Sequence, residues 1–277
     1  MSETILDHGY VPEEHAPDPV VSHGDPTPPG KIAIWLFLAS EVMFFVAILG
    51  SYIILRSGEP AMFAKFGETL SKPLAGLNTL VLIFSSLTMA LAVDASQKGN
   101  RNRVIVCLAI TFICACGFMV IKTIEYYDKW THYTIAYRDG SMAGTLYIID
   151  GHAHHQDAQS MQIEGTRKAV TSSGADIHMI AESDLKAGGE HGEFTIPRAN
   201  IVAATNYFPW KNIFFSSYFT LTGVHGLHVV GGMFPILFLT IFALRGRLLP
   251  AHTEYVGLYW HFVDLVWIFL FPLLYLI

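Results

Sequence analysis

The stretch IFFSSYFTLTGVHGLHVVGGMFPILFLTIFAL, residues 213–244, carries no formal charge. It exceeds the roughly 20 apolar residues that a helix needs to cross the hydrocarbon core of a bilayer, so it reads as a transmembrane helix. Its middle is unlike lipid-facing sequence. Gly223, Gly226, Gly231 and Gly232 allow a neighbouring helix to come close, and His225 and His228, three apart, lie on one face. At about 100° per residue, most of the glycines fall on the opposite side. Such a helix belongs inside a bundle, with one face for tight packing and one for a polar network. The histidines there serve either as hydrogen-bonding glue between helices or in a metal or proton role.

Composition agrees with a membrane class. Hydrophobic residues make up 52% of the 277-residue chain and charged residues 14%, where a soluble domain carries about 25% charged residues. The net charge of −6 comes mostly from the polar segments and argues against a nucleic-acid partner. Cys107, Cys114 and Cys116 share one hydrophobic segment, and their spacing predicts free thiols.

Four further spans follow the same logic. Residues 1–30 form an acidic, Pro- and His-containing tail, without the basic and apolar regions of a signal peptide, and read as disordered. The first span, 32–55, places Glu41 near the bilayer centre. A carboxylate there costs about 2.5 kcal/mol or more on insertion scales, so Glu41 must face protein, water or a partner, or be held neutral. The span 73–93 carries Asn78, Thr79, Ser85, Ser86 and Thr88, groups suited to interhelical hydrogen bonds. The span 104–127 exits through KTIEYYDKW, where Glu125 reads as an interfacial residue. It is either an ion-pair partner of Lys122 or Lys129, or a functional acid. The last span, 255–277, contains His261 and Asp264 three apart, and a buried His–Asp pair is the expected arrangement.

Between residues 131 and 210 the hydrophobicity collapses. The runs HYTIAY, GTLYIID, ADIHMI and EFTIP are strand-like, and Asp139-Gly140 and Asp150-Gly151 read as turn signals. The expectation is a small β-rich extramembrane insertion. Its GHAHHQD patch (151–157) invites a metal hypothesis but reads as a solvated turn. The chain therefore divides into 1–30, a disordered tail; 31–130, three transmembrane helices; 131–210, the β-rich insertion; and 211–277, two transmembrane helices. The fold class expected is an all-α integral membrane bundle of five helices plus that insertion. Short links at 94–103 and 245–254 hold Lys98, Arg101, Arg103, Arg245 and Arg247. By the positive-inside rule they lie in the cytoplasm, with the N-terminus, and the insertion and C-terminus lie on the other side.

The motifs LTGVHGLHVVGG (221–232) and YWHFVDLVWIFLFPLLY (259–275) closely resemble the last two helices of subunit III of haem-copper terminal oxidases. FLASEVMFF (37–45), LNT (77–79) and EYY (125–127) match the earlier helices in the same order. Members of that family with seven helices have two more at the start, and the 131–210 insertion is outside the usual pattern. The resemblance implies a bacterial inner-membrane subunit, multi-pass, with a periplasmic insertion. It implies no cofactor and no metal on this chain, the haem and copper lying in partner subunits I and II. It implies packing on subunit I, bound phospholipid and support of proton uptake. Glu41 then corresponds to the family's intramembrane carboxylate, and Arg245 to a basic residue that meets a lipid headgroup. Within the family it resembles, the donor expected is cytochrome c, with a quinol oxidase or a nitric-oxide-reductase accessory protein as alternatives. The insertion would meet a cytochrome or another respiratory complex.

Two other classes are open to the residues. Glu41, His225, His228, His261 and Asp264 could supply ligands to an intramembrane metal enzyme, but no Glu-x-x-His pair occurs in the spans. Glu41 and Asp264 could serve a proton-coupled transporter, but no repeated halves are visible.

Overall fold

The computed structural model describes residues 29–138, 145–157, 159–170, 186, 188–206 and 212–276. The amino-terminal tail, the Asp139-Gly140 signal and the ADIHMI run lie outside these residues. Among the described residues, five helices are long and apolar enough to cross a membrane. They are α1 (Pro29–Gly58), α3 (Lys72–Gln97), α4 (Arg101–Thr131), α5 (Ile213–Leu244) and α6 (Pro250–Phe271), the last extended by a π-helical turn over Pro272–Leu276. A short helix, α2 (Pro60–Gly67), interrupts the link after α1.

Helix ends follow from local chemistry. Asn100 and Asn212 accept from the backbone N–H of Arg103 and Phe214, capping α4 and α5. Gly99 and Gly246, at φ 72° and 83°, turn the chain after α3 and α5, a conformation that a side chain disfavours. Arg101 donates to the carbonyls of Ala243 and Leu244 at 2.7 and 2.6 Å. A cation thus meets the negative end of the α5 dipole.

Helices α3, α4, α5 and α6 close into a ring in which each packs on the next: α3 on α4, α4 on α5, α5 on α6 and α6 back on α3. Trp260, Trp267, Tyr218, Phe118, Phe214 and Phe215 fill its core. The polar groups of α3 bond across the ring. Trp260 donates to Ser85 at 3.1 Å, Trp267 to Thr79 at 3.0 Å, and Thr88 meets Thr111 at 2.8 Å. Helix α1 lies outside against α5 and α6 and is the least buried span. Lys31 and Glu254, paired at 2.7 Å, tie its start to that of α6.

The glycines of α5 are not equivalent. A Cβ on Gly223 or Gly226 would meet its nearest neighbours at 3.9 and 4.0 Å, ordinary contact distances, so the close packing expected there does not occur. Gly232 is the tight position, where a Cβ would lie 2.9 Å from the Trp260 ring.

The insertion is a five-stranded antiparallel sheet, ordered β4-β3-β2-β1-β5. Its strands are β1 (His132–Arg138), β2 (Leu146–Gln156), β3 (Ser160–Ala169), β4 (Glu190–Pro197) and β5 (Ile201–Asn206). β1 continues directly from α4, so the sheet is rooted on a membrane helix. Cross-strand pairing puts Ile135, Ile149 and Ile163 in one apolar cluster, with Tyr137, Met161 and Ile196. Two sequence expectations are corrected. Asp150-Gly151 is mid-strand, because Gly151 faces Gly165 across β3 and a Cβ there would sit 2.1 Å from the Glu164 carbonyl. The GHAHHQD patch is not a solvated turn; it runs along β2 to Gln156. Pairing with neighbours on both sides outweighed the local turn signal.

Candidate functional site

Three groups of polar side chains stand out in the bundle among the described residues, brought together by helices far apart in sequence. In the first, Glu41 of α1 meets His228 of α5, with Oε2 2.9 Å from Nε2. His228 Nδ1 is 2.8 Å from the Val224 carbonyl. A carbonyl only accepts, so Nδ1 carries a hydrogen, and the short contact to Glu41 then requires a proton on either Nε2 or the carboxyl. The pair holds one exchangeable proton between two helices. Phe45 packs edge-on against the imidazole at 5.0 Å, and Tyr259 donates to the His228 carbonyl at 3.0 Å. Each side chain is about a fifth exposed, so the proton sits at the bundle's surface.

The second group is deeper. Lys122 Nζ lies 2.8 Å from Glu125 Oε2 and 2.7 Å from the Tyr275 hydroxyl, and that hydroxyl donates to Glu125 Oε1 at 2.8 Å. Tyr218 joins through Tyr275 at 3.2 Å. The ammonium also stands 4.7 Å from the Trp267 ring centre, within the range of a cation–π attraction. Of the two ion-pair partners expected for it, Glu125 takes Lys122, and its side chain is 1% exposed. Turning Lys122 and Glu125, three apart, to the inside of the ring places both on the side where Tyr275 can bond them.

The third group lines a groove of about 400 Å³ between α3 and α6. His261 Nδ1 is 2.7 Å from the Ser86 hydroxyl. Asp264 is 3% exposed, and neither of its oxygens has a hydrogen-bond partner among the described residues. His261 and Asp264 share a helix face but do not pair with each other. His225 is wholly buried, likewise without a hydrogen-bond partner, between the rings of Phe118 and Trp267 at 5.6 and 5.1 Å. His225 and His228, neighbours on the helix, therefore point to different surroundings. Arg245 is exposed at the end of α5, close in sequence to the carbonyls that Arg101 caps.

Lys122, Tyr218, Tyr275 and Ser86 complete these groups, and the sequence marked them weakly. Lys122 was visible as a cation three residues before Glu125, and Ser86 as a mild polar group in a span. Nothing in the sequence singled out either tyrosine.

The sheet has polar contacts of its own. His132 Nε2 and the Thr134 hydroxyl each lie 2.8 Å from Asp150 Oδ1. His152 lies 3.1 Å from Thr131 and 3.5 Å from Asp128, both at the end of α4, and His154 lies 2.9 Å from Glu164. Burial pushes the Asp150 carboxyl up, but the bonds from His132 and Thr134 and the nearby histidine charges outweigh it and hold it below its usual range. Among the described residues no group of three or more His, Cys, Asp or Glu side chains is arranged to hold a metal ion.

Five apolar helices, four of them closed around an aromatic core that holds a few buried polar groups, with one extramembrane sheet, define a multi-pass membrane protein of the helical-bundle class. The family described as cytochrome c oxidase subunit III matches residues 25–156 and 199–277, and the chain belongs to that family. The match includes all five spans and omits 157–198, which holds strands β3 and β4. The chain is 24% identical over 248 residues to cytochrome c oxidase subunit 3 of Alkalihalophilus pseudofirmus, covering 88% of this chain and 85% of the other. It is 26% identical over 251 residues to cytochrome c oxidase subunit 3 of Bacillus subtilis, covering 88% and 84%. Similarity extends to quinol-type relatives: cytochrome bo(3) ubiquinol oxidase subunit 3 of Pseudomonas aeruginosa is 24% identical over 249 residues, covering 87% and 82%. Subunits III of this family belong to haem-copper oxidase complexes and carry no redox cofactor themselves.

Proposed function

We propose that this chain is the non-redox subunit III of an oxygen-reducing, proton-translocating cytochrome c oxidase. In this reading it packs on subunit I, beside subunit II, in a bacterial inner membrane. The observation that carries it is the family match across all five spans. The short links at the end holding Lys98, Arg101, Arg245 and Arg247 lie in the cytoplasm, and the sheet lies in the periplasm, where a cytochrome or another respiratory complex can reach it. Arg245, exposed at the end of α5, is suited to a phospholipid headgroup, and the sparsely covered α1 leaves room for acyl chains beside α5 and α6.

The Glu41–His228 pair supports a part in proton uptake, since it holds a transferable proton near the bundle's surface. Lys122 and Glu125, sealed in the core, act as a structural pin. Cytochrome c is the donor in this reading and a quinol is the alternative, since the relatives include subunits of both kinds of oxidase.

The test is affinity purification of the chain in mild detergent, with mass spectrometry of its partners and a reduced-minus-oxidised spectrum. Recovery of a haem-bearing subunit I, together with a subunit II that carries a copper-centre motif, is the expected result. A colourless chain recovered alone would overturn the assignment.

A further inference from the structure

The groove between α3 and α6 faces away from the centre of the ring. Ile83 and Leu87 on one rim and Leu265 and Ile268 on the other are all exposed, as in a surface that meets hydrocarbon or another helix. Asp264 is buried beneath them, and neither oxygen has a hydrogen-bond partner among the described residues. The polar neighbours relieve it only in part, through Ser86. Ser86 and His261 are bonded to each other, and one hydroxyl proton cannot supply the several donors that a carboxylate accepts. No Lys or Arg lines the groove.

Depth decides what could fill it. Asp264 lies about half-way along the helical segment Pro250–Leu276. That is roughly 20 Å from either end at about 1.5 Å per residue, beyond the reach of a headgroup from either interface. Acyl chains offer no donor, and an unsatisfied polar group costs several kcal/mol in hydrocarbon. A side chain on another membrane-spanning helix can supply a donor at that depth.

We infer that the α3–α6 groove seats a transmembrane helix of a partner subunit, and that a cationic or hydroxyl side chain on that helix donates to Asp264. The inference rests on the subunit reading above and adds the face and the residue through which the chain docks. The apolar rims receive the helix, and the carboxyl sets its register, as a polar group does where two helices meet in lipid.

The experiment is photo-crosslinking in the intact complex, with p-benzoylphenylalanine in place of Leu265. The expected result is a covalent adduct to a transmembrane segment of another oxidase subunit. In the same background, Asp264→Leu should lower the adduct yield by about tenfold or more, the size expected from loss of a charge-assisted hydrogen bond. If the haem-bearing subunit copurifies but the probe labels only lipid or a second copy of this chain, the groove assignment is overturned and the subunit reading stands. If no haem-bearing subunit copurifies at all, both are overturned. An adduct whose yield is unchanged by Asp264→Leu would overturn the role of the carboxyl.

Discussion

Glu41 and His228, 187 residues apart in the chain, meet at 2.9 Å and join α1 to the ring formed by the other spans. Helix α1 otherwise touches that ring sparingly. His228→Ala should therefore leave the Glu41 carboxyl without its hydrogen-bond partner and destabilise the α1 contact by about 1–3 kcal/mol. Glu41→Gln should leave the fold intact, because an amide N–H can donate to Nε2 while Nδ1 stays on Val224. Unfolding titrations in SDS would compare the two. If subunit III supports proton uptake through this pair, Glu41→Gln lowers steady-state turnover of the complex without lowering its recovery.

The Lys122–Glu125 pair should show the opposite sensitivity. Lys122→Met leaves a carboxylate in a dry core and should cost about 3–5 kcal/mol. Adding Glu125→Gln should recover most of that loss, since the uncompensated charge is then gone. A double-mutant cycle read by the same titration gives the coupling, and additive effects would show that the two side chains do not act as a pair.

Two glycines of α5 should respond differently to one methyl group. Gly232→Ala forces a Cβ to 2.9 Å from the rigid Trp260 ring and should destabilise the bundle by about 1–3 kcal/mol. Gly226→Ala has 4.0 Å to the flexible end of Met119 and should be neutral or slightly stabilising, given the helix propensity of alanine. Thermal inactivation of the detergent-solubilised protein would separate them.

In the sheet, Asp150 makes stability depend on acid. Its carboxyl is held below the ordinary range in the folded protein, so the contribution is fully present above the unfolded value of about 4. It is lost as pH falls through the folded value. Hydrogen exchange of the β1 and β2 amides should show the native chain better protected than Asp150→Asn at pH 6. The difference should shrink steadily below about pH 4. A gap that persisted at low pH would place the effect of Asp150 outside its ionisation.

The five spans were legible because a bilayer imposes one requirement, about 20 apolar residues in sequence, that no tertiary contact can change. The presence of a sheet was legible from alternation, but its extent was not. Strands β3 and β5 escaped notice, and the Asp150-Gly151 signal gave way to pairing with Gly165. Such pairing depends on partners more distant in sequence than any local window.

The sequence by itself determined that Glu41, His225, His228 and Asp264 would be costly to leave facing lipid, and that Glu125 could pair with Lys122 or Lys129, because desolvation of a polar group depends on its chemistry and depth. Only the tertiary structure decided how each cost is met. Glu41 goes to His228 because α1 lies against α5. Glu125 goes to Lys122 and Tyr275 because α4 turns that face inward. Asp264, three residues from His261 on the same helix, goes to neither His261 nor any other described group, because His261 is drawn across the groove to Ser86. Spacing along a helix says which residues share a face; the rotation of that helix against its neighbours selects their partners.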